Sequence, residues 1–178
     1  MTSGQEWKQR IVDMVRIKQA IADLDRQGIW EYRLPAVAAT EEELKAVEQN
    51  LGEELDPEYR EFLAYAGGWP AFLQTIDLFG PNDLLGSERF RHAQEMLGYV
   101  EPKIIEALDV KREHMLPIAA SPVNLDLFVI TRRAALKPGE VIWLAGYEID
   151  RFPDFDEYFL AMMDYNRGEV DALQKSRR

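Results

Sequence analysis

The segment from Thr40 to Leu85 constrains the fold more than any other part of the chain. Thr40 with Glu43 three residues later has the pattern of a capping box, which satisfies two backbone donors and predicts a helix from Glu41. Apolar residues then recur at spacings of three and four, and Gly52 supplies the left-handed residue that commonly ends a helix. These signals predict a short helix with one apolar face.

A second helix is predicted directly after the first. Asp56 is a good N-cap, and Pro57 at the first helical position loses no hydrogen bond. The Gly67-Gly68 pair ends this helix, and Trp69-Pro70 turns the chain into a predicted strand over residues 72–79. The order is therefore two short helices that lead into a strand.

The N-terminal residues predict a long amphipathic helix that ends near Gly28. Its apolar stripe consists of Trp7, Ile11, Met14, Ile17, Ile21 and Leu24. Residues 29–35 alternate apolar and polar side chains and predict an extended piece. We expect residues 1–39 to pack on the core, because stripes with this spacing usually face one; a module specific to this subfamily is the alternative.

The second half of the chain predicts short helices, then strands, then a last helix. Its predicted elements are helices over 88–97 and 102–108, strands over 116–119, 125–130 and 141–144, and a helix from the Asp154 cap to Gly168. The connections between the strands are too short for crossover helices, so the strands should pair antiparallel. This predicts an α+β fold class: a single domain with a mainly antiparallel sheet packed by helices, plus an N-terminal helical extension.

One family shows this order of elements together with several matching residues. The matching residues are Glu48, Leu51, Gly52, Leu55, Pro57, Tyr59, Phe62, Leu63, Gly67 and Gly68, followed downstream by 116–119, 139–143 and 155–160. Over residues 40–166 the chain resembles the SUKH superfamily, which contains fungal cell-wall synthesis regulators of the Smi/Knr type and many bacterial toxin-immunity proteins. The chain departs from it at residues 122–126, where many members carry a Gly-Asp turn.

The resemblance implies three segments and a function. They are an N-terminal helix with its connecting segment at 1–39, a SUKH-like domain at 40–168 and a flexible tail at 169–178. It also implies a protein that acts by binding, without a cofactor.

Composition excludes several classes of protein. The chain has 178 residues and no cysteine, which rules out disulfides and cysteine metal sites and gives no sign of an oxidising compartment. Charged residues interrupt the N-terminal region, and no run of about 18 apolar residues occurs, so neither a secretory signal nor a membrane span is predicted. We expect a cytoplasmic protein without a membrane role.

The net charge is −11 and the isoelectric point about 4.7, which argues against nucleic-acid binding. Residues 40–61 hold nine acids and two bases, and residues 148–171 hold eight acids and two bases. Such a surface steers basic partners, including toxins with a basic active-site cleft. The alternative is that the acidity only keeps the protein soluble.

Catalytic motifs are missing from the sequence. It contains no phosphate-binding loop, dinucleotide fingerprint, HExxH or G-x-S-x-G pattern, and its two histidines, His92 and His114, lie on different segments. We therefore expect neither an enzyme nor a metal site.

Ten residues are candidates for a role in the fold or in binding. The structural candidates are Glu48, Gly52, Pro57, Gly67 and Gly68, and the partner-binding candidates are Trp69, Asp77, Asp83, Glu148 and Asp150. Glu48 lies on an apolar helix face, so its carboxylate needs donors from the backbone or an arginine, with ligand contact as the alternative. Trp69 fits either the core or a binding hot spot.

The resulting hypothesis is an immunity protein that occludes the active site of a cognate toxin, such as a nuclease. A regulatory adaptor and a phage-encoded inhibitor of a host protein are alternatives, and a small-molecule-binding domain is a weaker one. We expect a monomer or a weak homodimer.

Overall fold

The computed structural model describes residues 1–176, and five of the helices in that range begin after a residue whose side chain caps them. The helices are α1 (Gly4–Leu24), α2 (Glu41–Leu51), α3 (Pro57–Leu63), α4 (Pro81–Leu84), α5 (Glu88–Tyr99), α6 (Pro102–Leu108) and α7 (Phe155–Lys175). The strands are β1 (Trp69–Leu73), β2 (Ile76–Leu78), β3 (Met115–Ala120), β4 (Leu127–Thr131), β5 (Val141–Leu144) and β6 (Glu148–Phe152).

The capping box of α2 is present in full. The Thr40 hydroxyl accepts from the Glu43 N–H, and the Glu43 carboxylate accepts from the Thr40 N–H at 2.8 Å. Gly52 ends α2 with a left-handed φ of 73°. Asp56 caps α3 by accepting from the Tyr59 N–H, with Pro57 in the first turn. Local chemistry therefore sets both helices.

The six strands form one sheet in the order β1-β2-β3-β4-β5-β6, and each strand pairs antiparallel with its neighbour. This confirms the predicted α+β class with an antiparallel sheet. The Phe128 ring lies 5.2 Å from the Tyr158 ring of α7, so α7 covers one face of the sheet. Because side chains alternate along a strand, Leu127 and Val129 point to the other face, where α5 packs.

Aromatic side chains form the centre of the core between α1, α3, α7 and the sheet. The indole of Trp7 lies within 5.2–5.8 Å of the rings of Phe62, Phe155 and Phe159. All four side chains are fully buried. The N-terminal helix α1 is thus packed on the core, while a domain boundary at residue 39 stays a prediction.

The segment predicted as one strand over 72–79 is a hairpin of two strands. The chain reverses at Gln74 and Thr75, and Gln74 adopts a φ of 53°. The Thr75 and Ser121 hydroxyls lie 2.7 Å apart, which ties this turn to the end of β3. The prediction was wrong because the turn has no glycine, asparagine or proline to mark it.

Strand β6 and helix α4 were not predicted from the sequence. Strand β6 carries the charged residues Glu148, Asp150 and Arg151, so the sequence shows no alternation of apolar side chains there. The segment is recognised as a strand only by its pairing with β5. Helix α4 has only four residues, too few for a periodic pattern.

The last helix is longer than predicted. It passes through Gly168 to Lys175, so the predicted end of the helix at Gly168 is wrong, while the flexible tail at 169–178 stays a prediction; residues 177 and 178 lie outside the described residues. Glycine inside a helix costs about 1 kcal/mol, and the packing of α7 along α1 offsets this. Helix α5 likewise continues through Gly98 to Tyr99.

A buried lysine completes the contact between α1 and the edge strand β1. Lys18 is 3% exposed, and its ammonium donates to the Ala71 carbonyl at 2.6 Å. Ala71 has a φ of 50° and lies on a strand with no partner on its outer side. Burial lowers the pKa of Lys18 to about 8, and Glu169 opposes this shift.

We predict that Gly68→Ala lowers the free energy of unfolding by about 2–4 kcal/mol. Gly68 has a φ of +99°, and an added Cβ would lie 2.7 Å from the Gly80 nitrogen. Gly168→Ala is the matched control, because its Cβ meets nothing within 4 Å, and it should stabilise by about 0.5–1 kcal/mol. Urea unfolding measures both, and equal effects would contradict the prediction.

We also predict that Lys18 makes the protein more stable as pH rises from about 8 to about 10. Since the pKa of Lys18 is lowered to about 8 in the folded protein, the unfolded chain holds a proton there that the folded chain has lost. The stability of Lys18→Met relative to the wild type should therefore fall with pH across this window. Urea titrations at both ends measure this difference, and a constant difference would refute the assignment.

Candidate functional site

Asp77 and Asp83 are both bound to Arg89. The Asp77 carboxylate lies 3.1 Å from the guanidinium and accepts from the Ala71 N–H at 2.8 Å. Asp83 lies 3.0 Å from Arg89 and accepts from the Ser87 hydroxyl at 2.8 Å. Partial burial disfavours the charge of Arg89, but the two aspartates outweigh it and raise its pKa. The aspartates are therefore part of an ion cluster in which their side chains are only 15% and 9% exposed, and a role of either in partner binding stays a prediction.

A cleft of about 310 Å³ lies beside this cluster. Asp77 and Arg89 line it together with Phe79, Glu88, His92, Ala120, Ser121 and Pro122. The cleft has an apolar floor and one ion pair on its wall.

Trp69 is fully buried, so the structure places it in the core and gives a partner no access to it. Its indole N–H donates to the Arg33 carbonyl at 3.1 Å, and its ring lies 5.5 Å from that of Phe72. The interpretation of Trp69 as a partner contact is corrected accordingly. It anchors the segment that leads from α1 to α2.

Glu148 and Asp150 lie on β6, the opposite edge region of the sheet. Three strands separate β6 from β2, which is about 19 Å at the usual strand spacing, so Glu148 and Asp150 do not form one cluster with Asp77. Glu148 is paired with Arg151 at 2.8 Å, whereas Asp150 is exposed. Asp150 is thus the acid of the four that is freest to meet a partner.

The structural candidates hold the first helices in place. Glu48 accepts from the Leu55 N–H at 3.2 Å and from the Arg60 guanidinium at 2.8 Å, which joins α2 to α3. Arg60 also binds Glu41, and the hydrogen bonds that its guanidinium donates to Glu41 and Glu48 raise its pKa. A Cβ at Gly67 would lie 2.3 Å from the Val37 carbonyl oxygen, so only glycine fits there.

The sequence did not predict an exposed apolar surface at one end of the sheet. The turns at 74–75, 121–126 and 145–147 all lie at this end, which we call the turn end. Its exposed or half-exposed apolar side chains are Val123, Leu125, Trp143, Tyr147 and Tyr165, which we call the turn-end surface. Only the strand register reveals that they lie at one end, because they come from two turns, a strand and a helix.

No group of three or more His, Cys, Asp or Glu residues within residues 1–176 is placed to hold a metal ion. None of the helices described is long and apolar enough to span a membrane.

Comparison with models of protein families assigns the chain to one of them. The model of the SMI1 / KNR4 family (SUKH-1) matches residues 38–161, and the chain belongs to this family. No curated protein matches the chain. The family is generally non-catalytic, and membership fits a protein-binding role.

We predict that Arg89→Met destabilises the fold, because it leaves Asp77 and Asp83 without their cation. The side chain of Arg89 is 42% exposed, so solvent screening limits the loss to about 1–2 kcal/mol. Arg133→Met is the control, since Arg133 and Glu54 are 68% and 69% exposed, and it should change stability by less than about 0.5 kcal/mol. If denaturant titration gave both variants the same stability, the cluster would have no structural role.

Proposed function

We propose that this protein is an immunity protein that binds a cognate toxin and blocks its active site without turnover. The observation that carries the proposal is membership of the SMI1 / KNR4 family (SUKH-1), over residues 38–161. Inhibition by occlusion needs a rigid surface and no catalytic group, and the ordered turns and strands of this domain meet that need.

The charge distribution supports a basic partner. The chain has a net charge of −11, so its surface attracts positive charge as a whole. On α2, the Glu41 and Glu48 carboxylates are already bound by Arg60, so acids elsewhere are the better candidates for contact with a partner. Asp150 on β6 is exposed to solvent. A toxin that acts on nucleic acid has a basic cleft, and an acidic surface attracts it and repels nucleic acid.

A regulatory adaptor is the second candidate, because the superfamily that the chain resembles also contains cell-wall synthesis regulators of the Smi/Knr type. An adaptor would bind proteins whose expression does not harm the cell. An immunity protein would bind one whose expression alone stops growth.

The test starts by capturing partners with the tagged full chain at low and at high salt. Each partner identified is then expressed alone and together with the chain. Growth arrest that the chain relieves supports immunity; partners that are harmless when expressed alone reject immunity and favour the adaptor.

We predict that Asp150→Lys slows association with a basic toxin several-fold at low salt and has less effect at high salt. Glu95→Lys is the charge-matched control, because Glu95 is exposed on α5. Stopped-flow association rates measure both variants. Equal slowing by both would mean that net charge steers the toxin and that β6 has no special part.

A further inference from the structure

The turn-end surface combines exposed apolar side chains with a hydrogen-bonded turn. Val123 is 74% exposed, Leu125 65%, Tyr147 61% and Tyr165 44%. A concentration of large apolar side chains at one end of a small domain is unusual without a function. Tyr and Trp are also the residues that most often dominate binding energy.

Hydrogen bonds hold the turn at 121–126 in one conformation. The Ser121 hydroxyl accepts from the Val123 N–H at 3.2 Å, and the Asn124 side chain accepts from the Asp126 N–H at 2.9 Å. The Ser121 N–H donates to the Asp126 carbonyl at 2.9 Å and closes the turn. A preformed turn loses little conformational entropy when it binds a partner.

Trp143 links the parts of this surface. Its indole N–H donates to Asp126 at 2.8 Å, and its ring meets that of Tyr165 edge-on at 5.4 Å. Across the strands Trp143 pairs with Asp150, which puts an exposed carboxylate beside it. Turn, strand and helix are therefore fixed relative to one another.

The rim of the surface is acidic. The turns at 74–75, 121–126 and 145–147 contain no lysine or arginine. Glu169 accepts from the Gln74 side chain at 2.6 Å and so lies at the same end, with Asp126 and Asp150 beside Trp143. Of the arginines on α5 and α7, Arg89 is paired with Asp77 and Asp83 and Arg167 with Asp164, while Arg91 is exposed on α5.

We infer that the turn-end surface is where the toxin docks, and that the toxin presents an apolar patch ringed by lysine or arginine. This inference rests on the proposed function. The acidic rim disfavours an anionic membrane and a nucleic acid. It also disfavours a second copy of the chain, because two such rims would repel each other.

The probe for the test is the partner captured by the wild-type chain, identified and purified. Calorimetry at about 0.15 M salt compares the wild type with the double variant Leu125→Ala/Tyr147→Ala. The control is Tyr99→Ala/Leu136→Ala, whose side chains are 86% and 83% exposed elsewhere on the protein. Thermal unfolding of each variant verifies the fold, and Tyr147→Phe should keep the wild-type affinity.

We predict that the turn-end double variant raises Kd by about tenfold or more, whereas the control stays within about twofold. If both double variants had the same Kd, the turn-end surface would not be the docking site, even if the chain still relieved the growth arrest caused by the toxin. If the captured partner is harmless when expressed alone but binds the turn-end double variant more weakly, the immunity proposal is rejected and the turn-end surface remains the docking site. A dimer of the chain that the turn-end variant dissociates would assign the surface to a second copy, and capture of no partner would reject both proposals.

Discussion

The packing of Trp7 against Phe62, Phe155 and Phe159 is the contact on which the rest of the structure depends. It brings together α1, α3 and α7, which come from the start, the middle and the end of the chain. Truncating a buried tryptophan costs about 3–5 kcal/mol, which is a large share of the stability of a domain of this size. Trp7 lies before residue 38, where the family match begins. The hydrophobic core therefore includes a helix from outside the matched residues.

This core leaves the two ends of the sheet with different chemistry. At the end that holds the connection from β4 to β5, Arg132 and Arg133 pair with Glu53 and Glu54, so opposite charges neutralise each other within the chain. At the turn end the apolar side chains have no such cover, and the acids around them face few bases. The acids at the turn end are therefore more available to a partner than those at the opposite end, although both contribute to the net charge of −11.

The sequence predicts what local chemistry decides and misses what pairing decides. The caps at Thr40 and Asp56 and the glycine at 52 act within a few residues, so α2 and α3 could be predicted. Trp69 donates a hydrogen bond to the Arg33 carbonyl, and Asp77 and Asp83 are held by Arg89, and these contacts depend on the tertiary fold. The turn-end surface requires the strand register to be known, since no periodic pattern joins its residues.

A binding surface built on turns has a physical advantage over one built on the core. Side chains such as Val123 and Tyr147 are mostly exposed, so replacing them changes little of what holds the sheet together. The hydrogen bonds that fix their backbone come from Ser121, Asn124 and Asp126, which do not have to touch the partner. Specificity is a difference of affinities that a few side chains can set, and here those side chains can vary while the scaffold stays the same.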